Sequence, residues 1–139
     1  MLDLREISDR IEIADLLTAY TRAVDTGDWD RLDAVFTPDA RIDYTASGGI
    51  EGDFPAVKTW LAEVLPLFVR RQHLLGQSEV VIDGDTAAVT VYFSNPMVSV
   101  GDDGAERLFS CGGVYHHRLV RTPEGWRSRS LAQEIAWVG

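Results

Sequence analysis

Three observations predict an α+β domain in which helices lead into a curved sheet. Helical apolar spacing opens the chain, the pattern switches to strand period near residue 73, and turn signals separate the long β segments that follow. Residues 3–26 place Ile7, Ile11, Ala14, Leu17 and Thr21 at helical spacing, and Leu4, Ile13, Leu16, Tyr20 and Val24 widen that stripe. Gly27 ends this helix, Asp28 is expected to cap a second short helix through Phe36, and Pro38 hands over to a strand, ARIDYTA. A flexible turn, SGGIEGD, precedes a third helix over residues 55–69, with Pro55 in its first turn and Val57, Trp60, Leu61, Val64 and Leu65 as its apolar face. HLLGQSEVVID then turns at Asp83-Gly84-Asp85 into TAAVTVYFSNPMVSV, and ERLFSCGGVYHHRLVR turns at Thr122–Gly125 into WRSRSLAQEIAWV. Pro96 and Gly112-Gly113 fall inside these strands and are expected to bend the sheet round a cavity.

Composition narrows the function classes. The chain has 139 residues, 45% of them hydrophobic, which suits one domain over residues 1–139 with a core of its own. Its net charge of -9 opposes binding to nucleic acid or to an anionic membrane surface. Cys111 is the single cysteine, so no internal disulfide forms and no cysteine cluster supplies a metal site. The opening residues lack the basic start and apolar run of a signal peptide, and no apolar stretch approaches the roughly 20 residues of a membrane span. A cytoplasmic protein that accepts a small neutral ligand is the expectation. No G-x-G-x-x-G or phosphate-binding loop suggests a nucleotide cofactor.

The segment from Tyr20 to Tyr44, together with His73 in RRQH, brings together a tyrosine, a carboxylate and an imidazole, a set suited to acid–base chemistry. A histidine can take a proton from carbon next to a carbonyl and return it to a leaving hydroxyl if a carboxylate fixes its tautomer. Asp25 is the expected holder of His73, and the hydroxyl of Tyr20 or Tyr44 the expected donor to the carbonyl oxygen. Plainer roles compete: Asp25 as a turn residue, His73 at the surface, Tyr20 as core. His116 and His117 must point to opposite faces of their strand; His117, sharing a face with Cys111 and Tyr115, is the one expected at the cavity. Trp60, Phe93, Met97 and Trp137 read as core or pocket wall, Trp29 as packing, and Arg70, Arg71, Arg127 and Arg129 as solvated or interface charges.

The run VDTGDWDRLDAVFTPDARIDY, the later RQH, the GDTAAV strand, the EGW turn and the EIAW end resemble the SnoaL-like family of the nuclear transport factor 2-like superfamily, over nearly the whole chain. That resemblance implies a cone-shaped α+β barrel, its N-terminal helices packed against a strongly curved, mixed but mainly antiparallel sheet around a deep pocket. In pattern the chain is most similar to scytalone dehydratase, bile acid 7α-dehydratase and hexachlorocyclohexane dehydrochlorinase, which all eliminate a small leaving group. Asp25 and His73 match the Asp–His pair of those enzymes, Tyr20 a catalytic tyrosine of the bile acid enzyme, and Tyr44 a carbonyl-side tyrosine of scytalone dehydratase. Met97 and Tyr115 stand where scytalone dehydratase has a histidine and an asparagine, so scytalone itself is not the expected substrate. Asn95 lies near an aspartate of the bile acid enzyme, and an amide there orients or polarises but takes no proton. The resemblance thus implies His73, Asp25 and Tyr20 as catalytic and Tyr44, Asn95, Met97 and Tyr115 as substrate-binding; His117, Phe93 and Trp60 join that set from the reading of faces and pocket wall, and an elimination of this kind needs no metal and no cofactor. The implied activity is a dehydratase-type lyase acting on a mid-sized hydrophobic carbonyl compound. An isomerase or polyketide cyclase using the same pair, or a non-catalytic binding domain, are the alternatives. A homodimer or homotrimer is the assembly the resemblance implies.

Overall fold

Asp3 opens the first helix. In the computed structural model, which describes residues 1–139, the Asp3 carboxylate accepts from the Glu6 N–H at 2.8 Å and Glu6 reaches back to the Asp3 N–H, a capping box that starts α1 (Leu4–Thr26). Gly27, at φ 73°, closes α1 in the left-handed conformation. Its buried face is Ile13, Leu16, Leu17, Tyr20 and Val24, each fully buried apolar side chain contributing about 1.5–3 kcal/mol. Leu4, Ile7 and Ile11, expected on that face, are exposed instead. They lie on the side of the helix opposite Asp9, Ile13, Leu16 and Tyr20, which face the sheet.

The second helix is a 3-10 segment, Trp29–Ala34, and Asp28 makes no side-chain cap. β1 (Phe36–Asp43) begins earlier than expected and includes Pro38, which lies in an irregular stretch between the Phe36 and Arg41 pairings where no ladder N–H is needed. β2 (Glu51–Asp53) is a short strand inside the anticipated turn. The Asp53 carboxylate then caps α2 (Phe54–Val64) by accepting from the Ala56 N–H at 3.0 Å. Pro66 cannot continue an α-helix, and Leu65–Leu67 tighten into a 3-10 turn. β3 (Arg70–Arg71), β4 (Leu74–Asp83), β5 (Thr86–Val100), β6 (Glu106–Thr122) and β7 (Gly125–Val138) complete the chain.

The seven strands form one sheet in the order β2-β1-β7-β6-β5, with β4 and β3 sharing the outer edge of β5. β1 and β7 run parallel; the other pairs are antiparallel. The expected α+β class and curved mixed sheet are present, but the sheet is not closed into a barrel: β2 ends one edge and β3 and β4 the other. At Gly113 the β6–β7 register shifts, and a Cβ there would collide with the Glu134 carbonyl, so glycine permits the bend. No helix is long and apolar enough to cross a membrane.

An ion pair that the sequence did not suggest fixes α1 to the sheet. The Arg121 guanidinium grips the buried Asp9 carboxylate through two bonds of 2.7 and 2.9 Å, and the Trp126 indole donates to it at 3.0 Å. The Arg121 contact holds the Asp9 carboxyl down at about 2 despite its burial.

Candidate functional site

The gap between β3 and β4 shapes the site. β3 pairs Arg71 with Met97 and β4 resumes pairing at Leu74 with Ser94, so Gln72 and His73 cross the interval between them. Gln72 still donates its N–H to the Pro96 carbonyl at 3.1 Å, but the His73 N–H turns to the Asp25 carboxylate, at 2.9 and 3.1 Å from its two oxygens. Asp25 also accepts from the ring: His73 Nδ1 lies 2.6 Å from Asp25 Oδ1. With Nδ1–H held by a carboxylate, the tautomer is set and Nε2 carries the free lone pair. The last turn of α1 thus supplies an acceptor for this outward-facing edge N–H and orients the imidazole in one contact.

Arg71 locks this arrangement from behind. Its guanidinium donates to the carbonyls of Val24, Asp25, Leu65 and Phe68 at 2.9 to 3.3 Å and lies 5.9 Å from the Trp29 ring. The expectation of a solvated or interface charge is corrected for Arg71, because two element ends converge on it with unsatisfied carbonyls. Arg70 does face solvent and pairs with Glu106.

His73 borders a cavity of about 210 Å³ between α1, α2, the Ser47–Gly49 turn and the concave side of the sheet. Val24, Trp60, Leu61, Leu65, Met97, Phe109 and Cys111 form most of the apolar wall, and the polar groups are Tyr20, Tyr44, Ser47, His73, Asn95, Tyr115 and Gln133. No Lys, Arg, Asp or Glu reaches the cavity surface. Tyr20 and Tyr44 join their hydroxyls at 2.5 Å, and burial pushes both phenols well above their ordinary range, so they remain neutral donors. Tyr44 stacks on Trp60, and Gly49 leaves room for that stack, since a Cβ there would lie within 3 Å of both side chains.

Of the residues singled out from sequence, Tyr20, Tyr44, Trp60, His73, Asn95, Met97 and Tyr115 line the cavity, and Asp25 stands behind His73. Phe93 and His117 do not reach it. Phe93 stacks beneath Tyr115 with ring centroids 4.1 Å apart, and His117 lies deeper along β6, edge-on to Tyr20 and Tyr115. Strand parity put His117 on the inward face correctly, and Phe93 is core as one of its two readings had it, but side chains fill the concave side of the sheet at this end. His116 is exposed and pairs with Glu134. Sequence reasoning missed Gln133 and Ser47, which bond to one another at 2.5 Å. Gln133 is the cross-strand partner of Tyr115, a signal available only once the β6–β7 register is known. No group of three or more His, Cys, Asp or Glu is placed to hold a metal ion.

The sequence profile of the SnoaL-like domain matches residues 5–132. The chain belongs to the SnoaL-like family. It is 50% identical over 127 residues to an uncharacterised protein of Mycobacterium tuberculosis, covering 91% of this chain and 85% of that one. Scytalone dehydratase arp1 of Aspergillus fumigatus is 24% identical over 148 residues, covering 95% and 84%. Among solved structures, a protein of Novosphingobium aromaticivorans provisionally described as an aromatic ring hydroxylase superposes with TM-score 0.85 at 31% identity, over 96% of this chain and 93% of the other. A hexachlorocyclohexane dehydrochlorinase superposes with TM-score 0.84 at 20% identity, over 99% and 92%. The SnoaL-like chain thus shares its fold with enzymes named for elimination reactions.

Proposed function

We propose that this SnoaL-like protein is a cofactor-independent lyase that eliminates water from a mid-sized hydrophobic carbonyl compound. The observation that carries the reading is the 2.6 Å Asp25–His73 contact beside an uncharged cavity, with a neutral tyrosine pair in the same wall. His73 Nε2 takes the proton from the carbon next to the carbonyl, and the electron pair moves to the carbonyl oxygen as an enolate. One hydrogen of the Tyr20–Tyr44 pair joins the two hydroxyls and the other donates to that oxygen, a contact that strengthens as charge develops. The enolate then re-forms the carbonyl, the carbon–oxygen bond breaks, and the hydroxyl leaves as water with the proton from His73. Asp25 keeps its own proton balance and stabilises the imidazolium between the two steps. Each step is a proton transfer or a neutral hydrogen bond, which these side chains supply without further groups. The names of the dehydratase and dehydrochlorinase relatives support elimination over other uses of the same pair.

The partner in this reading is a small hydrophobic substrate, and the charge of -9 disfavours nucleic acid. Assembly as a dimer or trimer belongs to it too, with exposed Tyr92, Leu108 and Trp137 as apolar surface to cover. The test of the base needs no natural substrate: α-proton exchange of 1-tetralone in deuterium oxide, followed by NMR. Catalysed exchange is expected to fall about 10²- to 10⁴-fold in His73→Ala, and to fall in Asp25→Asn as the tautomer is lost. Exchange at the wild-type rate in folded His73→Ala would sink the mechanism. Exchange without water release from any β-hydroxy ketone would favour the isomerase or cyclase reading.

A further inference from the structure

The wall beside His73 contains a polar group with nothing to bind. Asn95 is 5% exposed, its Oδ1 has no hydrogen-bond partner, and it borders the cavity. Its β5 neighbours Phe93 and Met97 face inward as it does, where any apolar side chain would pack without loss. An unpaired buried amide is unfavourable, so its presence at a cavity surface points to a ligand group that completes it. The register says which part of the ligand that is. Arg71 opposite Met97 and Leu74 opposite Ser94 bracket His73 against Asn95. Side chains so placed across neighbouring strands have Cβ atoms about 4.5–5.5 Å apart, so a group bound by Asn95 sits next to the imidazole.

We propose that Asn95 binds the leaving hydroxyl of the substrate, so that the cavity selects neutral β-hydroxy ketones of one or two rings. The inference rests on the elimination reading above. A hydroxyl both donates and accepts, and so complements either end of an amide, whereas a second ketone could use only the N–H end. With its proton given to Asn95 Oδ1, the hydroxyl presents its oxygen lone pairs towards His73 Nε2. When the carbon–oxygen bond breaks, that oxygen keeps the bonding pair, accepts the proton from Nε2 and departs as water. The size limit follows from volume. Benzene occupies an apolar protein cavity of about 150 Å³, and 210 Å³ accommodates a second fused ring. With no Lys or Arg at the cavity surface, a carboxylated or phosphorylated ligand would be buried without a counter-charge, which disfavours it.

A matched pair of ketones tests this: 1-tetralone, and 3-hydroxy-1-tetralone, which on loss of water aromatises to 1-naphthol. Binding is read by tryptophan fluorescence in a His73→Ala background, where the hydroxyl survives. The His73→Ala chain keeps the backbone N–H that bonds Asp25, so the local fold is retained. The hydroxylated ketone is expected to bind about tenfold more tightly, the effect of one buried hydrogen bond. Adding Asn95→Leu should reduce that preference to within about twofold and raise the melting temperature because the unpaired amide is gone. A preference that survives Asn95→Leu overturns the proposal, as does equal binding of the two ketones with Asn95 present; the latter needs no second variant to fold. Equal binding would leave the elimination reading standing. Failure of both ketones to bind at millimolar concentration would remove that reading and this one together.

Discussion

His117 should make the protein acid-sensitive without touching the cavity beside His73. Its Nδ1 lies 2.9 Å from Ser128 Oγ, and that hydroxyl donates onward to the Ser130 carbonyl at 3.0 Å. Ser128 can therefore only accept from His117, which fixes the Nδ1–H tautomer and leaves Nε2 as a bare lone pair with no partner. Protonation would place an N–H and a charge in a fully packed site, and burial, with His116 alongside, pushes the imidazole down to about 4. The unfolded chain titrates near 6.5, so below that pH it binds a proton that the native state refuses, and stability falls as pH falls. A difference of about 2.5 pH units is worth roughly 3 kcal/mol, present above pH 6.5 and lost on descent towards pH 4. His117→Leu removes this limb. Urea unfolding of both proteins at pH 7.5 to 4.5 should show curves that converge on acidification, the variant gaining on wild type by roughly 2–3 kcal/mol. Asp9, held at about 2, adds its own loss only below pH 4 and so does not confuse the window. Parallel curves, with a difference independent of pH, would refute the assignment of a neutral buried imidazole.

Two further substitutions test how the frame holds the site. Arg71→Met leaves four carbonyls at the ends of α1 and the Leu65–Leu67 turn without their donor, and should destabilise by more than about 2 kcal/mol, with faster hydrogen exchange in the last turn of α1. An Arg71→Met protein as stable as wild type would show that water replaces the guanidinium freely. Gly113→Ala forces its Cβ onto the Glu134 carbonyl and should lower the melting temperature well beyond a surface change, whereas Gly84→Ala, in an open turn, suffers only backbone strain at its φ of 61°. Equal losses at the two glycines would mean that the bend between β6 and β7 is not where the sheet needs glycine.

What the sequence made legible was periodicity and face, and what it hid was depth and register. The four long strands and α1 repeat their patterns over enough residues to declare themselves, and their observed bounds follow the expected ones closely. β2 and β3 are too short to show a period, and Asp28 looked like a cap only because its residue type suits one. The same limit governs the site. Alternation put Tyr115 and His117 on one inward face, yet one borders the cavity and the other lies beneath it, because position along the cone depends on which neighbouring strands fill it. Asp25 and His73 lie 48 residues apart, and no spacing rule pairs them; the pairing was suggested by the chemistry, which needs a carboxylate on the imidazole, and by the family resemblance. The sheet edge supplies the physical reason: Gln72 bonds Pro96 across to β5, so the next N–H, that of His73, points outward from the edge, and the acceptor it meets there is the carboxylate at the end of α1. The backbone's need for a hydrogen bond and the imidazole's need for an orienting carboxylate are met by one residue. Asp25→Asn would still accept the backbone bond through its amide oxygen while removing the charge from the imidazole, and so would separate the structural use of Asp25 from its chemical one.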